Sequence, residues 1–138
     1  MNITIVAGAR PNFMKIAPII HEIGKAVKSG HNLKYRLVHT GQHYDKKLSD
    51  TFFSDLGIPE PHINLEAGSG TQAEQTAAIM IGFEKELISN PSDLVIVVGD
   101  VTSTMACSIT AKKLNTKVAH IEAGIRSFDL SMPEEINR

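Results

Sequence analysis

Four short runs rich in Val and Ile, residues 2–7 (NITIVA), 34–39 (KYRLVH), 93–98 (DLVIVV) and 117–121 (KVAHI), are separated by longer segments of helical period. Bounded by Gly, Asp or Thr, such runs read as strands buried on both faces. Between them, three- and four-residue apolar spacing predicts helices over Phe13–Val27, Lys46–Leu56, Ala73–Ile88 and Thr102–Leu114. In the third, Ala73, Ala77, Met80, Ile81, Glu84, Leu87 and Ile88 trace a mainly apolar stripe. Alternation of this kind implies an α/β fold, a Rossmann-like parallel sheet with helices on both faces, whose ligands gather beyond the carboxyl ends of the strands. Two prolines and three glycines mark residues 57–70 as a long connection, with a short edge strand near Asn64–Glu66.

Composition narrows the partners. A chain of 138 residues can form one compact core, and a formal net charge of -1 supplies no bulk positive field for nucleic acid or anionic lipid. No apolar segment approaches membrane-spanning length, the N-terminus has no secretion-signal pattern, and a single cysteine fits a reducing cytoplasm. The six histidines and one cysteine show no ligand spacing, so no metal site is expected.

Candidate chemistry lies at the strand ends. After the first strand, "AGARPNFMK" runs through Gly8 and Arg10 into a helix whose first turn suits Pro11; free amides there would favour an anion flanked by Gly8 and Arg10. A surface arginine beside a tight turn is the other reading. The loop is not G-x-G-x-x-G, so the dinucleotide fingerprint is missing. "VVGDVTST" puts Asp100 at a strand end, as a helix cap or as an acid–base group. "HIEAGIRS" puts Glu122 where a carboxylate needs solvent or a partner. In "SMPEEINR", Ser131 and Glu134 have capping-box spacing, and Glu134 is otherwise a third carboxylate near the same edge.

As an ordered set, "GARPNFMKIAP", "HTGQHYD", "GSGTQAEQT", "VVGDVTST" and "HIEAGIRSFDLSMPEEINR" resemble the motifs of the non-hydrolysing UDP-N-acetylglucosamine 2-epimerases across essentially the whole chain. The resemblance implies interconversion of UDP-N-acetylglucosamine and UDP-N-acetylmannosamine through a 2-acetamidoglucal, with no cofactor and no metal. It implies catalytic roles for Asp100, Glu122 and Glu134, with Asp100 and Glu134 moving protons at C2 and Glu122 orienting them. It also implies substrate contacts from Arg10, Lys15, Gln42, His43 and Arg126, with Arg10 on the diphosphate; a helix-surface role is the alternative for Lys15. Departures from the motifs stand at Ala9, Asn12 and Val101, and Asp45 replaces a regulatory glutamine.

The same resemblance implies a two-domain GT-B enzyme, homodimeric at full length and cytoplasmic, that binds UDP-N-acetylglucosamine and UDP and supplies cell-surface polysaccharide synthesis. Residues 1–138 would then be an incomplete N-terminal Rossmann-like domain, inactive by itself, with the C-terminal nucleotide-binding domain absent. A non-catalytic nucleotide-sugar binding module and a GT-B glycosyltransferase fragment are the alternatives.

Overall fold

A computed structural model describes residues 1–41 and 46–138, the side chains of 46–50 excepted. Its elements run β1 (Asn2–Ala7), α1 (Arg10–Lys28), β2 (Lys34–His39), α2 (Lys46–Leu56), β3 (Ile63–Asn64), α3 (Gln72–Ser89), β4 (Leu94–Val98), α4 (Thr102–Lys113), β5 (Lys117–Ile121) and α5 (Pro133–Asn137). The strands form one sheet in the order β3-β2-β1-β4-β5, and every pair is parallel.

Successive strand residues face opposite ways, and each face meets its own helices. Ile3, Ile5, Ala7, Ile96 and Val98 pack with Phe13, Ile16 and Ile20 of α1 and Phe53 of α2. Val6, Val38, Val95 and Val97 pack with Ile79, Phe83 and Leu87 of α3 and with Ala106, Cys107 and Ala111 of α4. Each fully buried Val, Ile or Phe is worth about 1.5–3 kcal/mol relative to leaving it exposed. Cys107 is a fully buried packing residue, and burial pushes its thiol pKa up.

Three sequence expectations shift. Helix α1 starts at Arg10 rather than Phe13, because Pro11 fits the first turn, where its missing N–H costs nothing. Helix α3 buries Ile79, Phe83, Glu86 and Leu87, whereas Ala73, Ala77, Ile81, Glu84 and Ile88 of the expected stripe are exposed. This helix carries large apolar side chains on more than one face, so periodicity alone could not choose between them. Strand β5 is half-exposed rather than buried because it lies at the sheet edge.

The order of strands also fixes where a ligand can sit. From β1 the chain winds to β2 and β3 on one side and returns to β4 and β5 on the other, so the direction reverses between β1 and β4. In open parallel α/β sheets the ligand crevice lies at such a switch point, outside the strands' carboxyl ends.

Candidate active site at the switch point

The loop after β1 and the loop after β4 border this crevice. Gly8 lies so close to α4 that a Cβ there would stand 2.2 Å from Ser103 Oγ, and Ser103 in turn exchanges a 2.6 Å hydrogen bond with Thr40. Gly99 turns the chain after β4 with φ of 72°, a left-handed geometry suited to glycine. Its amide donates to the Ile121 carbonyl at 2.9 Å, and its own carbonyl lies 2.6 Å from His120 Nε2. The β4 and β5 ends are thereby tied together, with Asp100 on one and Glu122 on the other.

Asn12 changes the expected anion site. Its buried side-chain carbonyl accepts from the Gly8 amide at 3.2 Å and the Ala9 amide at 3.0 Å. Those two donors are therefore not open to a phosphate, and what the loop offers an anion is the side chain of Arg10. That guanidinium is exposed, stacks 4.7 Å from the centre of the Phe52 ring, and has no salt bridge among the described residues. Gln42 and His43 lie outside the described residues, as does Asp45.

The carboxylates are engaged in different ways. Glu122 pairs with Lys15 of α1, and both side chains stay about a third exposed. Glu122 adopts φ of 63°, a left-handed conformation that costs a side-chain-bearing residue roughly 1–2 kcal/mol. Asp100 does not cap α4, whose N-cap is Val101 with no side-chain bond. Its carboxylate instead takes Arg138, and its carbonyl accepts from Asn137 Nδ2 at 3.0 Å. Glu134 forms no capping box either: the N-cap of α5 is Met132, and Ser131 bonds to Asp129. Glu134 is exposed, one turn before Asn137 and Arg138, the two residues that reach Asp100.

Glu135, beside it, is buried. Its carboxylate accepts from Arg126 Nε at 2.6 Å and from the Ser127 amide at 3.0 Å, and Arg126 also stacks over Phe128. The Arg126 bonds and the Ser127 amide bond hold the Glu135 carboxyl down at about 2, from an ordinary 4.5. A depressed carboxyl stabilises the fold fully above its unfolded value and loses that contribution as pH falls through its folded value. The melting temperature of Glu135→Gln should therefore lie below that of the parent above pH ~4.5, and the gap should close toward pH ~2. A gap constant over that range would contradict this. Sequence reasoning missed Glu135, Asn137 and Arg138; only their shared short segment with Glu134 could have pointed to them.

A parallel sheet of order β3-β2-β1-β4-β5 with helices on both faces defines a Rossmann-like α/β unit. The family model for UDP-N-acetylglucosamine 2-epimerase matches residues 25–138, and the chain belongs to that family. It is 44% identical over all 138 residues to the UDP-N-acetylglucosamine 2-epimerase of Methanocaldococcus jannaschii, covering 36% of that protein. It is 41% identical to a UDP-2,3-diacetamido-2,3-dideoxy-D-glucuronate 2-epimerase of Pseudomonas aeruginosa, again along its whole length and over 38% of the relative. The crystal structure of the M. jannaschii enzyme in complex with UDP-GlcNAc and UDP superposes with a TM-score of 0.90 at 44% identity, covering all of this chain and 37% of that one. The chain thus spans little more than a third of these relatives. Among the described residues, no helix is long and apolar enough to cross a membrane, and no group of three or more His, Cys, Asp or Glu is placed to hold a metal.

Proposed function

We propose that the full-length protein interconverts UDP-N-acetylglucosamine and UDP-N-acetylmannosamine, with this chain as the N-terminal unit of a cytoplasmic, homodimeric two-domain enzyme. The observation that supports the reading is the pair of ion pairs Arg138–Asp100 and Lys15–Glu122 at the ends of β4 and β5, which hydrogen bonds tie together. A base takes the C2 proton while the C1–O bond breaks. The C–H electron pair becomes the C1=C2 double bond, and UDP departs with the C1–O pair. Protonation of C2 on the opposite face and return of UDP to C1 complete the epimerisation. This needs an acid and a base on the two sides of one carbon and cations for the departing diphosphate. Asp100 and Glu134 fill the first requirement, Glu122 orients them, and Arg10 and Lys15 meet the diphosphate; Gln42 and His43 are proposed as further substrate contacts.

A 2-epimerase acting on a diacetamido uronate sugar is nearly as similar, so the shared chemistry is 2-epimerisation of a UDP-2-acetamido sugar. The unmodified N-acetylglucosamine is favoured by the family match. The test incubates full-length protein in D2O with each UDP-sugar and follows the C2 epimer and C2 deuterium by NMR. Epimer with deuterium at C2 is expected. Binding with neither product would favour a binding module, and consumption only with an acceptor would favour a glycosyltransferase.

Arg10→Lys keeps the charge but loses the fork that can grip a diphosphate at two oxygens. Affinity for UDP should fall roughly tenfold, with a matching loss in kcat/KM. Unchanged affinity by calorimetry would remove Arg10 from the site.

A further inference from the structure

The neighbouring glutamates of the P-E-E segment have opposite surroundings: Glu134 is exposed, whereas Glu135 is buried against Arg126 and Ser127, nine and eight residues back along the chain. That grip closes the stretch from the end of β5 to α5 into a loop whose two ends both reach the crevice. Glu122 stands at one end, and Asn137 and Arg138 hold Asp100 at the other. With only five residues, α5 is too short to keep its place by its own helical bonds. Its apolar side chains add little, since Met132 and Ile136 are exposed. We propose that Glu135 is a positioning residue for the epimerisation: gripped by Arg126, it sets α5 so that Glu134 and Arg138 stand against Asp100. The proposal rests on the function argued above. It gives Arg126 a place in the framework of the site through its Nε and Nη2 contacts with Glu135.

Geometry set in this way is expressed in the chemical step more than in ground-state binding, since small misplacements of an acid–base pair cost rate steeply. In full-length protein, Glu135→Gln should lower kcat per folded molecule about 10–100-fold while KM for UDP-N-acetylglucosamine stays within about threefold. Arg126→Lys, which keeps the charge but cannot bring two nitrogens to Glu135 Oε1 as Arg126 Nε and Nη2 do, should lose kcat in the same pattern to a smaller degree. Combining the two substitutions should cost about as much as Glu135→Gln alone, because both break one unit. If Glu135→Gln does not fold, Arg126→Lys and its kcat-against-KM split decide the matter. Asp100→Asn is measured in parallel. Loss of turnover in Asp100→Asn with normal kcat in the clasp variants would overturn the positioning role and leave the function standing. A parent protein that makes no C2 epimer from either sugar would overturn both.

Discussion

Asp100→Asn in the full-length protein should reduce epimerisation by roughly 10²–10⁴-fold, the usual worth of a positioned general base or acid. The substitution keeps the side chain's shape, and the Asp100 carbonyl still accepts from Asn137. The amide oxygen can also accept from Arg138, so the local geometry should survive. What disappears is a group able to take or return a proton at neutral pH. KM for the UDP-sugar should change little, and C2 deuterium exchange in D2O should fall in step with turnover, since both need the same proton transfer. Because α4 takes no side-chain cap from Asp100, a capping defect cannot produce this result. Near-normal exchange in Asp100→Asn would leave Asp100 with only its ion pair to Arg138 to account for it.

Much of the fold was legible because parallel strands covered on both faces read as near-continuous apolar runs: β4 (LVIVV) carries that pattern throughout, β1 over most of its length, and β2 (KYRLVH) only in its buried second half. What periodicity could not supply was position within the sheet. Strand β5 has the same composition as its neighbours and yet lies half-exposed at an edge. The buried side of α3 depended on which of two apolar faces met Val95 and Val97.

At the site, the strand-end carboxylates could be picked out because a charge ending an apolar strand needs a reason. Their partners could not: Lys15 reaches Glu122 across 107 positions and Arg138 reaches Asp100 across 38. Asn12 shows the same limit from the other side. In the sequence it departs from the resembled motif; in the fold its side chain takes up the two amides that the loop otherwise holds open for an anion. Nor does a string of letters distinguish Glu134 from Glu135, since adjacent helical residues point roughly 100° apart and only the loop's closure decides which one is buried.

Glu122 gives the other large expected effect, and it separates function from stability. A glutamate at φ of 63° pays roughly 1–2 kcal/mol for its left-handed backbone, which glycine would not. Replacement by glycine frees the unfolded chain by about 0.4–1 kcal/mol in the opposite sense. It also loses a part-exposed ion pair to Lys15, worth at most about 1 kcal/mol. These contributions nearly cancel, so Glu122→Gly should unfold in denaturant within about 1 kcal/mol of the parent. Turnover should nevertheless fall by roughly two orders of magnitude or more, because the carboxylate proposed to orient the proton-transfer groups is gone. Glycine also loosens the backbone, and Glu122→Gln removes that ambiguity: it keeps the size and the conformation and deletes only the charge. Equal losses of turnover in the two variants would place the effect in the carboxylate. A loss confined to glycine would place it in the backbone. Full turnover in both, with stability unchanged, would remove Glu122 from the catalytic set and leave its strained conformation without a function.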